Sequence, residues 1–423
     1  MGRCLLLLLV LAAAASPREV AVRLAKSRVV KMDLEDYVAA VVAGEGNTLH
    51  GEAQAALAVA ARSYAVHNAG RHRGEGFDFC DTTHCQDLRL AAVNERAQAA
   101  AGVTEGELLW YDGAVANAFY SLDCAGQTEG LPGVPYLRAQ ADTFCVTRGR
   151  RRWQARLEGV KQAVVWETSA SGRVRTLRVD GRVVAWDGIE GALSSLFTLH
   201  GLTLQGYGAG HGLGLCQVGA DERARAGHSW RQILSFYYPG TRAGLTPQGI
   251  GWTRLSSERW ELFTVNPGLD ARLLGMAGAA LAEAERRTGW RWQGQARLKV
   301  YPSVAAFRDA TGEPGWVVAS TLGRTVRLQP YRAGLEGVLL HECLHLLVNQ
   351  RARGELPEWF REGVALWLDN QEAARSPEYA RWRARVRQLA EAYGAATVLG
   401  WVERGLPSGI SDSSVTQKTT KKP

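Results

Sequence analysis

The sequence predicts an α+β chain of two domains. Three observations carry that expectation. The 423 residues, 46% hydrophobic and 22% charged, are enough to build two globular cores. From about 104 to 250 short β-like runs alternate with Gly and Asp turns, so the first domain is expected to be strand-rich. Beyond a Gly- and Ser-bearing stretch, a few strands are followed by a run of helices.

The elements follow in order. Met1-Gly2-Arg3, an apolar run from Cys4 to Leu11 and Ala12-Ala13-Ala14-Ala15 read as a secretory signal peptide over 1–15, cut near Ala15. The run is too short to span a bilayer, and no later segment is apolar enough to do so. Cys4 precedes the run and is not placed for lipid attachment. The mature protein is expected to be soluble, without a transmembrane segment, and secreted or periplasmic at the cell envelope. Residues 29–32 suggest a strand. Asp33 is placed to cap a helix, with Asp36 three residues on, and Gly44-Glu45-Gly46 should end it. An Ala-rich helix over 51–68 follows. Strands are expected at 107–111, 115–121, 174–179 and 183–186, and a helix at 230–238 stops at Pro239-Gly240. Residues 246–257 read as a linker between domains at 20–245 and 258–405. In the second domain a helix at 269–288 precedes strands near 296–300 and 317–328, then a histidine-bearing helix and helices at 358–370 and 377–396. Residues 406–423, rich in Ser, Thr and Lys without an apolar period, are expected to be disordered. No internal repeat is present.

The formal charge is +8 and the pI about 9.2, with a basic knot at Arg148, Arg150, Arg151 and Arg152. On an exported protein this suits an anionic wall or surface polymer. No nucleic-acid motif appears, so nucleic acid is not an expected partner. Six cysteines follow the leader: Cys80, Cys85, Cys124, Cys145, Cys216 and Cys343. Export permits disulfides, and the residues alone leave fifteen pairings open.

The strongest chemical signal is His341-Glu342-Cys343-Leu344-His345, followed by Glu362-Gly363. Residues four apart share a helix face, so His341 and His345 can aim two imidazoles at one zinc ion. Glu342 would stand beside the metal as general base, Glu362 on the next helix would be the third ligand, and the fourth position would stay open for water. A surface helix with two histidines is the alternative. Leu339, Leu340, Leu344, Leu346 and Val348 argue instead for a buried helix, whose polar side chains need partners. Cys343 is expected in the core. The pattern resembles the glutamate-zincin metallopeptidases, specifically the short peptidase MA-like domains, over about 258–372. That resemblance implies a zincin-like fold, a catalytic zinc and peptide hydrolysis, with the peptide substrate open.

Three N-terminal segments form a second constellation. The first is Leu34-Glu35-Asp36-Tyr37 through Gly44-Glu45, with Ala61-Arg62-Ser63-Tyr64. The second is Phe79-Cys80-Asp81-Thr82-Thr83-His84-Cys85-Gln86. The third runs from Gly206-Tyr207-Gly208 through His211-Gly212 and Cys216-Gln217-Val218-Gly219-Ala220 to Tyr237-Tyr238-Pro239-Gly240. Together they resemble the stage II sporulation protein D or amidase-enhancer family over about 20–245. The resemblance implies association with peptidoglycan and, for some members, lytic transglycosylase activity on stripped glycan strands. It makes Glu45 the catalytic acid. Protonated, Glu45 would donate to the leaving glycosidic oxygen; ionised, it would take the proton of the muramic acid C6 hydroxyl as a 1,6-anhydro ring closes. Water is not the nucleophile, so a second carboxylate is not required. Burial must raise its pKa for work near neutral pH. A surface glutamate at a helix end is the alternative. Arg62, Tyr64, His211 and Gln217 are the expected substrate contacts, although Arg62 and Tyr64 on an Ala-rich helix can equally serve packing and His211 can instead brace the cleft.

Cys80, His84 and Cys85 admit a structural zinc, as the resemblance implies for some members, with His72 as fourth ligand and His67 its alternative; disulfides remain the other reading. The family pattern further implies a Cys124–Cys145 disulfide. Cys216 stands where relatives commonly carry serine and reads as a buried small residue. Tyr207 replaces a common arginine. The glycine-rich 206–219 segment lacks the Lys-Ser/Thr of a phosphate loop. The combined reading is an exported two-domain protein whose partners are peptidoglycan glycan strands. The alternative makes the first domain a non-catalytic glycan-binding or amidase-activating module, with a wall amidase as partner.

Overall fold

The computed structural model describes residues 19–25, 28–370 and 376–411. The expected signal peptide and residues 412–423 of the expected tail lie outside the described residues. The chain divides into two compact units, Met1–Gly251 and Trp252–Pro423.

In the first unit β1 (Glu19–Leu24) pairs antiparallel with β2 (Arg28–Asp33). Helix α1 (Leu34–Glu45) begins where the Asp33 carboxylate accepts from Glu35 N–H, and α2 (Gly51–His67) follows. Both helices are buried on nearly every face, from Tyr37 to Ala43 and from Ala53 to Ala65, which marks them as central rather than amphipathic. The alanines of α2 let α1, α3 (Glu95–Val103), α4 (Gln217–Arg225) and α5 (Trp230–Tyr237) crowd around one axis. Small sheets surround this core. β3 (Phe79–Cys80) adds to β1; β4 (Leu108–Tyr111) lies between β5 (Ala114–Val115) and β14 (Arg242–Gly244); β6 (Tyr120–Ser121) pairs with β13 (Leu215–Cys216).

Between β6 and β13, two three-stranded sheets enclose an apolar cluster of their own around Trp153, Leu177, Phe197 and Leu204. One holds β7 (Arg152–Arg156), β11 (Phe197–His200) and β12 (Thr203–Tyr207). The other holds β8 (Ala163–Thr168), β9 (Val174–Val179) and β10 (Arg182–Ala185). The middle is thus strand-rich, but the core that positions the chemistry is helical.

The second unit is built on a mixed sheet of order β15-β16-β17-β19-β18. Its strands are β15 (Thr253–Ser256), β16 (Trp260–Thr264), β17 (Ala296–Val300), β18 (Ala319–Leu322) and β19 (Thr325–Leu328). β16, β17 and β19 run parallel, and β15 and β18 are antiparallel edges. Residues 253–256 therefore belong to the sheet and not to a linker. The expected helix at 269–288 is two pieces, α6 (Pro267–Asp270) and α7 (Leu273–Thr288). Beyond α8 (Val304–Thr311), α9 (Glu336–Arg351) packs on α7 and on α10 (Glu358–Asp369). α11 (Pro377–Tyr393) and α12 (Ala395–Arg404) complete the stack. The start of the expected disordered tail is packed: Leu406 and Ile410 contact the cluster of Phe360, Val386 and Trp401, and Arg385 donates to Ser411 O at 3.1 Å.

Candidate functional site

α9 is buried around the histidines, with His341 4%, Glu342 3% and His345 9% exposed, so the surface-helix alternative does not hold. His341 Nε2 and His345 Nε2 lie 3.1 Å apart, and Glu362 brings one oxygen to 3.1 Å from each. His341 Nδ1 lies 2.9 Å from Asp369 Oδ2. Donation from Nδ1 to this carboxylate leaves the Nε2 lone pair facing a second imidazole and an anion. Such a meeting of acceptors calls for a cation at its centre. Ligand atoms of a tetrahedral zinc stand about 3.3 Å apart, given bonds of about 2.0–2.1 Å, so the donor set fits that ion. Burial disfavours a charged His341, but Asp369, Glu362 and Glu342 outweigh it and raise its pKa to about 10, so a proton on Nε2 shared with Glu362 and a metal cation compete for the same place. Sequence reasoning missed Asp369. Its position seven residues after Glu362 on α10 was the available signal.

Gly363 explains how α10 comes close enough. A Cβ there would meet Val386 Cγ2 at 2.7 Å and Trp382 O at 2.9 Å, so only glycine lets α10 lie against α11 at this depth. Glu342 Oε2 accepts from Thr321 Oγ1 at 2.7 Å, which ties the carboxylate to edge strand β18. The cleft beside the histidines is lined by Trp316, Ser320, Thr321, Asn349, Arg361 and Tyr379.

Glu45, the last residue of α1, is partly buried. Asp87 N–H donates to its Oε1 at 2.9 Å and Gln217 Nε2 to its Oε2 at 3.1 Å. Gly44 makes the first bond possible, because a Cβ there would collide with the Asp87 carbonyl. Burial raises the Glu45 pKa, the two hydrogen bonds oppose it, and the Asp87 carboxylate adds to the rise. Tyr37 OH donates to Gln86 Oε1 and Gln86 Nε2 to Tyr120 OH, both at 2.8 Å, in a buried polar chain. The charge of Glu45 reaches both tyrosines. Asp87 and Tyr120 were not singled out from the sequence, and Gln86 stood there only as the last residue of the second segment.

The expected contact Arg62 is engaged inside the fold, and Tyr64 is largely buried beside it on α2. Arg62 is 1% exposed and grips Glu35 with Nε at 2.8 Å and Nη2 at 2.5 Å, while also donating to Glu107 O and Ala101 O. It ties α1, α2 and α3 together. Tyr64 OH accepts from Arg71 Nη1 at 2.7 Å. His211 accepts from Leu213 N–H on Nδ1, bonds the Tyr120 backbone and stands edge-on to Phe119. Burial, then Arg173, lowers its pKa to about 4, which favours the neutral imidazole.

His72, Cys80, His84 and Cys85 offer ligand atoms within 4.8 Å of one another, whereas His67 turns its Nδ1 to Val115 O. Burial opposes ionisation of Cys80, but Thr82, through hydroxyl and backbone, and His84 hold its thiol at about 7. Burial pushes Cys85 up to about 11. Cys80 and Cys85 are both free thiols here, so the disulfide reading does not apply to them. Cys124, Cys145 and Cys216 are also free. The expected Cys124–Cys145 disulfide is not formed; both sulfurs stand in one group with Cys216 and Asp142. Cys343 is fully buried. No helix of the described residues is long and apolar enough to cross a membrane.

Comparison with known proteins bears on the first unit. The model of the stage II sporulation protein family matches residues 24–111. An uncharacterized protein of Brachyspira hyodysenteriae is 28% identical over 244 residues, covering 50% of this chain and 66% of that protein. The amidase enhancer of Bacillus subtilis is 28% identical over 270 residues, 45% of this chain and 37% of its own. Stage II sporulation protein D of Bacillus subtilis is 26% identical over 273 residues, 54% of this chain and 79% of its own. The chain thus spans less than two thirds of the first two relatives. In its N-terminal region, the chain is similar to the stage II sporulation protein family.

Proposed function

We propose that this chain is an exported protein of the bacterial cell envelope, with a zinc-dependent peptide hydrolase centre in its second unit and a glycan-cleaving site at Glu45 in its first. The observation that carries the hydrolase reading is the convergence of His341, His345 and Glu362 beside a buried glutamate. The names of the relatives support a role at the wall, and the expected leader supports export.

A zinc ion held by those three side chains would polarise a water and the scissile carbonyl. Glu342 would take the proton of that water and pass it to the leaving amine. Thr321 fixes Glu342 through Oε2, so one carboxylate oxygen stays committed and the other can work. Asp369 keeps His341 in the tautomer that offers Nε2. β18 is an antiparallel edge beside this cleft, a suitable rail for an extended peptide backbone. In the first unit, Glu45 would protonate the glycosidic oxygen and then receive the C6 hydroxyl proton. Gln217 and Asp87 N–H hold the carboxylate in place for both steps.

A second reading is favoured by the name of one relative, amidase enhancer. In it the first unit binds glycan or activates a wall amidase and cuts nothing. Stripped glycan digested with wild type and Glu45→Gln separates the two. Anhydro-ended products from wild type alone support cleavage; no products from either protein support the binding module. Cleavage of a protein substrate that is lost in Glu342→Gln while zinc is retained supports the hydrolase; equal cleavage by both sinks it.

A further inference from the structure

Three thiols meet in the core of the first unit, away from the histidine-bearing cluster. Cys124, Cys145 and Cys216 are 0%, 3% and 0% exposed, and Asp142 beside them is 0% exposed. One ligand atom from each lies within 4.8 Å of all the others. We propose that Cys124, Cys145, Cys216 and Asp142 hold a buried structural zinc ion.

Four observations support it. The first is spacing. Tetrahedral zinc with Zn–S bonds of about 2.3 Å and a Zn–O bond of about 2.0 Å sets S···S edges near 3.8 Å and S···O edges near 3.5 Å. Cys216 Sγ is 3.5 Å from Cys145 Sγ, and Cys124 Sγ is 3.6 Å from Asp142 Oδ2. The second is the state of the sulfur. Cys124 N–H and Gly219 N–H both point at Cys216 Sγ, at 3.2 and 3.4 Å. A neutral thiol is a weak acceptor, and two backbone donors at a helix start suit a thiolate.

The third is charge. Three thiolates and one carboxylate around a divalent ion leave two negative charges. Arg223 donates to Asp142 Oδ1 at 3.0 Å, and Arg173, 1% exposed, is held against the Cys124 carbonyl at 2.7 Å. These two buried guanidinium groups balance the site. Asp123 Oδ1 lies 3.1 Å from Cys145 Sγ and has Arg151 as its own counter-charge; the thiol proton shared between them is released as the ion binds. Tyr237 OH donates to Asp142 Oδ2 at 2.6 Å and fixes the remaining ligand. The fourth is parity. Three thiols cannot all pair with one another, so any disulfide among them leaves one reduced sulfur and a buried carboxylate beside it. A metal ion employs all four groups and shields them from oxidation outside the cytoplasm.

The test is zinc content per full-length chain, purified under mild reductant and exchanged into metal-free buffer. Cys216→Ser is the first variant, since serine keeps the cap of α4 and the volume. It is expected to carry one zinc fewer than wild type, while Cys80→Ser and His341→Ala lose theirs independently. Should Cys216→Ser fail to fold, peptide mapping of wild type decides. Native protein labelled with iodoacetamide should show all three cysteines protected until a chelator is added, and all three labelled afterwards. A Cys124–Cys145 cross-link in the zinc-loaded protein, or undiminished zinc in Cys216→Ser, overturns the proposal. Neither readout depends on glycan cleavage or peptide hydrolysis.

Discussion

Gln217 Nε2 donates to Glu45 Oε2 at 3.1 Å, joining residues 172 positions apart in the chain. The bond brings the first residue of α4 to the last residue of α1. Gln217 is 1% exposed, so it braces Glu45 from beneath.

Burial raises the pKa of Glu45 in the folded chain. The folded state then binds the proton more tightly than the unfolded chain, so stability from this group is present below the unfolded pKa and lost as pH rises through the folded one. Glu45→Gln is expected to unfold at higher temperature than wild type at neutral pH and to show a flatter pH dependence above pH 4 or so. Thermal melts at several pH values measure this, and parallel curves for the two proteins contradict it.

Arg62→Met should act on stability and not on the substrate. It leaves Glu35 without its guanidinium partner and the Glu107 carbonyl without its Arg62 donor, a loss of roughly 3 kcal/mol. Denaturant titration gives the loss. Glycan binding by the folded fraction should match wild type, and a selective fall in binding would return Arg62 to the cleft.

Asp369→Ala removes the carboxylate that orients His341. Zinc affinity of the second unit is expected to fall about 10- to 100-fold, as measured by competition with a chromogenic chelator. An unchanged affinity would mean that the imidazole holds its place without help.

Gly363→Ala forces a methyl against Trp382 O and Val386. A destabilisation of about 1–3 kcal/mol is expected, with weaker zinc binding because Glu362 precedes the displaced residue. Urea unfolding of the variant beside wild type checks the first effect.

Local chemistry made much of this legible in the sequence. Asp33 caps α1 as its position suggests, α2 ends at the asparagine the pattern indicates, and the histidine spacing places two imidazoles on one helix face. Features set by distant partners were not legible. Arg62 sits in a motif resembling a substrate site, yet its partner Glu35 is fixed by how α1 crosses α2. Asp87 contacts Glu45 through a backbone N–H, which no side-chain pattern reveals. Cys216 reads as a small core residue until folding brings two more sulfurs to it.

Helix α10 presents Glu362 to the histidines and, from its final residue Asp369, steadies one of them. A single rod is thus pinned at two heights by one centre. Because α10 rests on α11 and α11 on α12, an ion held there as proposed would latch the last three helices as a group, and its removal would loosen the C-terminal helices together with the chemistry of the centre.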